Sequence, residues 1–457
     1  MKEKCIFKNP KIAMVILVMA LMIAGALNVY SASFAMMGYG KGYFSGYIAR
    51  YLLFGVIGLI LMGWLGWKMD YHQLLGRRAE MAIAFINIVL LVAVDLAGHT
   101  AKGAQRWLSL GPVSFQPSEL AKLAIILLGA AYLGKVMEQG KKPSLVNHFS
   151  FAVVIIGLLV FKQPDMGTSA ILIAIAFFLY ILAGLPTLMV IGTILIGAVG
   201  AVVGVVIAPY RLNRIYVWLD PFRDPQGLGY QMVQSKVAIG SGGFGGLGPG
   251  QGLGKYFYLP EAHTDFAFSV FCQEHGFLGA FVLIVLFLML GYVIYTVARR
   301  TRDHQGFLLV MGANFLIVGQ AFANMAMVCG ILPVIGVPLS FISYGGTSLV
   351  TTLLAMGLVF SVYHDEVRRE EKEAPPTLPL RHSQRPPFVG TPRYQKDRWK
   401  KWSFHFSIFS AERNKKRRLR VLPFLSGTVH RDEGTGSPWI MTTLFQRLPR
   451  MNTVAGS

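Results

Sequence analysis

The sequence predicts an all-α integral membrane protein of about ten transmembrane helices, with one large extracytoplasmic loop between spans 7 and 8. Three observations predict it. The 457 residues are 54% hydrophobic and only 14% charged, with a mean hydropathy of +0.52. Soluble domains carry roughly 25% charge, so lipid is the expected solvent. Apolar runs long enough to cross a hydrocarbon core of about 30 Å recur along the chain. Finally, lysine and arginine concentrate in alternate connecting segments.

The spans are placed at residues 12–31, 48–67, 80–97, 118–134, 148–162, 168–184, 187–208, 267–297, 306–328 and 346–363. The first run lacks a signal-peptide cleavage site and reads as a retained span. Residues 168–210 and 307–363 contain no Lys, Arg, Asp or Glu. Each stretch must fold back on itself, at Gly184-Leu185-Pro186 and at Pro333–Pro338. Basic residues Lys2, Lys4, Lys8 and Lys11, then Lys68, Arg77 and Arg78, then Lys135, Lys141 and Lys142, then Arg299, Arg300 and Arg302 occupy segments of one parity. By the positive-inside rule these are cytoplasmic, and both termini lie with them. Cys5, Cys272 and Cys329 are too scattered for a metal site or a disulfide framework.

These features divide the chain into a cytoplasmic N-terminus (1–11), a membrane domain (12–364) holding the extracytoplasmic loop 209–266, and a basic tail (365–457). The tail has Pro375, Pro376, Pro379, Pro386, Pro387 and Pro392 and no apolar periodicity, which reads as disorder. Much of the formal charge of +21 lies here, including Lys415-Lys416-Arg417-Arg418. A cytosolic tail beside anionic membrane lipids accounts for it better than nucleic acid does.

Loop 209–266 is the outlier in length, and long loops are usually functional. Its glycine-rich stretch 240–254 is read either as a flexible connector or as backbone approaching a ligand. Arg211 and Arg214, beside the membrane on the side where basic residues are scarce, suit a phosphate group at headgroup level. At the other end Pro260-Glu261-Ala262-His263-Thr264-Asp265-Phe266 sets two carboxylates and an imidazole before an apolar helix. Asp265 is read as a helix-start acid or as a general base.

Polar residues inside spans persist mainly when paired or used. Glu119 and Lys122, three apart on one helix face, form either a local ion pair or a substrate contact. Asp165 either caps the next helix or serves function. Asp95 reads as a helix-end carboxylate, and Gln320 and Asn324 as interhelical hydrogen-bond partners.

Lys102–Trp107, Phe115–Glu119 with Lys122, Gln163-Pro164-Asp165, Asp220-Pro221, Gly229-Tyr230-Gln231, Ala238–Gly243, Leu259–Phe266 (LPEAHTDF) and Pro338–Gly346 (PLSFISYGG) together resemble the SEDS family, which comprises FtsW, RodA and their sporulation relatives. The resemblance covers residues 10–365 in the family's order. It implies a ten-span bundle in the bacterial plasma membrane that polymerises lipid II into the growing lipid-linked glycan of peptidoglycan, beside a class B penicillin-binding protein. The family's essential aspartate falls on Asp265, its polar pair on Glu119 and Lys122, and other sensitive positions on Arg106 and Asp165. The implied mechanism makes Asp265 the proton acceptor. Arg106, Lys122, Arg211 and Arg214 would receive the departing diphosphate, with Glu261 and His263 beside the substrate. No cofactor is required, although a divalent cation (Mg or Mn) could share that charge.

Departures from the family pattern are Met166 after Asp165, Gln273-Glu274-His275-Gly276 where Glu-Glu-Leu-Gly is common, and a glycine stretch without its usual lysine. The Lys102–Trp107 and Phe115–Lys122 wording looks closer to RodA, whereas LPEAHTDF and FISYGG look more like FtsW, and the reading leans to the RodA branch. Two other functions fit the residues less well. A lipid II flippase would use the buried Glu119–Lys122 pair, and a non-catalytic scaffold would recruit partner enzymes.

Overall fold

The computed structural model describes residues 9–37, 46–101, 104–110, 113–206, 209–252, 254 and 259–373. It is mostly helical. In chain order α1 (Pro10–Met37), α2 (Gly46–Lys68), the short α3 (Tyr71–Leu74) and α4 (Arg77–Ala97) lead to three strands, β1 (His99–Ala101), β2 (Ala104–Leu110) and β3 (Val113–Phe115). Next come α5 (Pro117–Glu138), α6 (His148–Lys162), α7 (Met166–Leu182), α8 (Thr187–Val206), α9 (Pro209–Leu219) and α10 (Tyr230–Ser241). The order closes with α11 (Ala267–Arg300), α12 (His304–Asn314), a π-helical segment Phe315–Gly319, α13 (Gln320–Val328) and α14 (Gly346–Glu373).

Among the described residues eight helical stretches are long and apolar enough to cross a membrane, and α6 and α7 are shorter apolar helices. The all-α expectation takes one correction, because β1, β2 and β3 form a small antiparallel sheet in that order. Its cause is local. Gly103 and Gly111-Pro112 separate three short segments, and such residues favour reversal over helix. The long loop is likewise not structureless, since α9, a 3-10 turn (Pro221–Arg223) and α10 lie within it. α14 runs to Glu373, past the boundary expected at 364, and residues 374–457 lie outside the described residues.

Side-chain caps start several helices where the sequence supplies Asp or Asn. Asn147 accepts from the Ser150 amide at 3.0 Å, and Asp303 accepts from Gln305 and Gly306 at 3.1 and 2.9 Å. In lipid, helices associate through close packing and hydrogen bonds rather than hydrophobic burial. α2 and α14 meet through small residues. A Cβ added at Gly58 would lie 2.4 Å from the end of the Leu353 side chain, and one added at Gly357 would lie 3.1 Å from the Met62 backbone, so a larger residue at this crossing requires neighbours to move. α5 is the central helix, with Ala121, Ile125, Ile126 and Ala130 all fully buried. α8 is the opposite case: no residue of its most apolar window is buried.

α1 is tied to α11 by polar contacts, Asn28 Nδ2 donating to the Ala267 carbonyl at 3.1 Å and the Ser31 hydroxyl to Glu274 Oε1 at 2.5 Å. The buried Tyr51 hydroxyl of α2 donates to the Phe341 carbonyl at 2.5 Å. Phe341 has φ of 64°, a left-handed conformation unfavourable for a bulky residue, so it persists only where neighbours hold it. Replacing Tyr51 by Phe should leave that carbonyl unsatisfied and cost about 1–3 kcal/mol. A melting temperature in detergent equal to the parent's would refute that role.

Candidate active site

Three segments meet at the ends of α2, α5 and α14. They are the sheet, the turns 259–266 that precede α11, and the strap 329–345 that precedes α14. Between them lies a cavity of about 580 Å³. Of the residues the sequence singles out, Arg106, Glu119, Arg214, Glu261 and Asp265 line it. Arg50, Tyr47, Gln116 and Tyr344 also line it and were not singled out. Arg50 had a usable signal, being a charged residue inside the second apolar span. Tyr344 lies in the PLSFISYGG segment, whereas Tyr47 had no signal, because aromatic residues near span ends are common.

Lys122 lies behind Glu119. Its ammonium is 2.8 Å from Glu119 Oε1 and 2.9 Å from Gln320 Oε1, and the two charged residues are 1% and 3% exposed. The pair is thus an internal ion pair whose carboxylate partner borders the cavity, so the two readings of it are not exclusive. Gln320 was expected to join helices. It does so through Lys122, and its Nε2 also donates to the Pro338 carbonyl of the strap at 3.0 Å.

Asp165 is the N-cap of α7, accepting from the Thr168 amide at 3.3 Å. Its other oxygen accepts from Gln116 Nε2 at 3.2 Å, and Arg106 Nη1 stands 3.8 Å from its first. Arg106, on β2, also donates from Nε to the Gln163 carbonyl at 3.2 Å and from Nη2 to the Pro164 carbonyl. The guanidinium therefore ties the sheet to the 163–165 turn and keeps a cavity-lining position. Asp165 supports it from outside the cavity lining.

Asp265 is not the cap of α11. That position is Phe266, with no side-chain cap, and the preceding residues form turns closed by Thr264 N–H and Phe266 N–H to the Glu261 carbonyl. The Thr264 hydroxyl donates to Glu261 Oε2 at 2.6 Å, which orients the Glu261 carboxylate. His263 is buried and does not line the cavity. Its ring packs 4.5 Å from that of Tyr47, and its carbonyl accepts from the Tyr344 amide at 2.8 Å. It contributes packing beneath the site. Arg214 donates to the Val334 carbonyl at 3.4 Å, which docks α9 on the strap with the help of Trp218 Nε1 to the Gly330 carbonyl at 3.2 Å. The side chain of Arg211 lies outside the described residues. Asp95 pairs with Lys162 at 3.2 Å, as suits a helix-end carboxylate.

The described part of the glycine stretch approaches the backbone of α11. Leu247 and Gly248 amides donate to the carbonyls of Gln273 and Glu274, and Phe277 and Leu278 amides to those of Gly243 and Phe244. α11 is broken there at Gly276, whose φ of 63° and ψ of −165° only glycine adopts readily. Gln273, at the position where an acid is common, donates to Ser241 and accepts from the Gly254 amide at 2.9 Å each. It fastens this loop rather than the cavity. Among the described residues no three His, Cys, Asp or Glu side chains converge as a metal site. The carboxylates Glu119, Glu261 and Asp265 and the cations Arg50, Arg106 and Arg214 line the same cavity.

Comparison with known proteins matches the same chain region. A family model described as a cell cycle protein family, FtsW/RodA/SpoVE, matches residues 11–368. The probable peptidoglycan glycosyltransferase FtsW of Geobacter sp. (strain M18) is 38% identical over 356 residues, covering 76% of this chain and 96% of that protein. The peptidoglycan glycosyltransferase MrdB of Escherichia coli (strain K12) is 36% identical over 359 residues, 77% of this chain and 92% of that one. A chain from the solved structure of a peptidoglycan synthase complex, described as coordinating polymerization and crosslinking, aligns with a TM-score of 0.64 at 28% identity, covering 77% of this chain and 97% of its own. With the motifs, the helical architecture and a family match spanning most of its length, this chain belongs to the FtsW/RodA/SpoVE family.

Proposed function

We propose that this multi-pass membrane protein is a peptidoglycan glycosyltransferase that polymerises lipid II into glycan strands. The observation that carries the reading is the cavity itself, in which the Asp265 carboxylate shares one wall system with three guanidinium groups. Chemically, the 4-hydroxyl of the acceptor sugar attacks the anomeric carbon of the lipid-linked donor. Asp265 takes the hydroxyl proton, the new glycosidic C–O bond forms, and the C–O bond to the diphosphate breaks with its electron pair. Arg106, Arg214 and Arg50 stabilise the charge that develops on the departing polyprenyl diphosphate. Displacement with inversion needs one base and no covalent intermediate. Glu261 takes a substrate hydroxyl, and the Glu119–Lys122 pair, with Glu119 in the lining, supports the wall it belongs to. Arg211 belongs to this set through its place on α9 beside Arg214.

The proposed topology has ten spans, counting α6 and α7 with the eight longer helices, and the α12–α13 stretch as one. Both termini and the basic tail 365–457 are then cytoplasmic, and 209–266 is the extracytoplasmic loop. The charge asymmetry of the connecting segments supports this orientation. A class B penicillin-binding protein is the expected partner, in keeping with the synthase complex among the structural relatives.

The test uses the full chain with its transpeptidase partner and labelled lipid II in detergent. Glycan polymer resolved on a gel is the expected product. Transbilayer movement of lipid II in liposomes without polymer would replace this reading with that of a flippase. A separate arm concerns Arg106. Lysine there keeps the charge but not the planar fork that serves the Gln163 and Pro164 carbonyls together. Arg106→Lys should lower polymerisation by roughly tenfold, whereas activity equal to the parent's would show that charge alone suffices.

A further inference from the structure

The ninth apolar stretch is not a regular helix. The π-helical segment Phe315–Gly319 stands between α12 and α13, directly before Gln320. Such segments change the facing of the residues that follow and recur at functional sites. Here Gln320 and Asn324, one turn apart, both reach the strap. Gln320 takes the Pro338 carbonyl at 3.0 Å, and Asn324 takes two at once, donating from Nδ2 to the Val337 carbonyl at 2.6 Å and to the Asp265 carbonyl at 2.8 Å. Asn324 is fully buried, and its Oδ1 has no hydrogen-bond partner among the described residues. Leaving a buried amide oxygen unsatisfied is unfavourable, so the donor half must justify the residue.

What the donor half holds is the Asp265 region. Asp265 stands in the turns that lead into α11, two residues before its first helical residue. A Cβ at Gly336 of the strap would stand in ordinary contact, 3.5 Å, with Asp265 Oδ2, which places the carboxylate beside the strap. One nitrogen thus sets the spacing between the strap and the turn that bears the carboxylate. Asn28 of α1 pins the Ala267 carbonyl two residues on, which limits rotation of the same turn.

We propose that Asn324 is a positioning residue for Asp265: its amide clamps the Val337 and Asp265 carbonyls together and so aims the carboxylate into the cavity. The proposal rests on Asp265 being the proton acceptor. A base displaced by about 1 Å loses on the order of 100-fold in rate. An amide kept for packing alone would be replaceable by leucine without effect on turnover.

The experiment measures lipid II polymerisation by the full chain with its transpeptidase partner. For Asn324→Leu, kcat should fall about 10- to 100-fold with KM for lipid II within roughly threefold. Asn324→Ser, whose hydroxyl serves one of the two carbonyls, should fall less. Lipid II binding, measured in the Asp265→Asn background, should not change on adding Asn324→Leu, which also shows that the chain is folded. Unchanged kcat, or a loss carried wholly by KM, would overturn the positioning role while Asp265→Asn remains inactive. Polymerisation by Asp265→Asn itself would overturn the reading of Asp265 and this proposal with it.

Discussion

Asp265→Asn is expected to reduce lipid II polymerisation by about 10²–10⁴-fold, the range over which a positioned general base contributes. Asparagine is nearly the size of aspartate, so the cavity and the clamp on the 265 carbonyl are retained. What disappears is the group that accepts the acceptor hydroxyl's proton. The loss should therefore fall on kcat, with lipid II binding close to that of the parent. Asp265→Glu is the informative companion. It restores a carboxylate one methylene longer, into a space already bordered by Gly336, and should recover only part of the rate. Equal turnover for parent and Asp265→Asn would remove the basis of the mechanism.

The largest effect on stability is expected at Lys122. Its ammonium is 1% exposed and bonded to Glu119 and Gln320. Lys122→Met fills a similar volume but strands the Glu119 carboxylate in a low-dielectric interior. Breaking a buried pair from one side costs about 3–5 kcal/mol, whereas replacing both partners with neutral groups is often nearly neutral. The double variant Glu119→Gln/Lys122→Met should thus melt higher than Lys122→Met alone, in the same detergent. If the two melt together, the pair is not the stabilising unit described here.

The membrane character and most apolar stretches were legible because twenty-residue hydrophobic runs and basic loop residues are direct consequences of the bilayer. The cavity was legible only through its charges. Arg106, Glu119, Arg214, Glu261 and Asp265 stood out as polar residues at lipid boundaries, and all five line it. Asn324 was visible as a buried amide, but its partners are main-chain carbonyls, and no residue pattern encodes which carbonyls a fold will bring near. His263 shows the converse. Its place in the LPEAHTDF motif drew it into the site, yet tertiary packing against Tyr47 takes it out of the cavity wall. The sheet was missed because three strands of three to seven residues carry too little alternation to compete with the surrounding helices. The branch of the family stays mixed at this level, since the FtsW and MrdB relatives stand at 38% and 36% identity.

The glycine-tight crossing of α2 on α14 has a consequence for where the chamber tolerates change. Phe54 of α2 packs against Gly346 of α14, so that seam also forms one side of the chamber. A seam packed this closely has little slack to yield. On the strap side of the cavity α9 is held, among the described residues, by side-chain contacts alone, Arg214 and Trp218 to the carbonyls of Val334 and Gly330 at 3.4 and 3.2 Å. A substitution that opens the chamber is therefore expected to be better tolerated there than at the α2–α14 seam, as melting temperatures of variants at each would show.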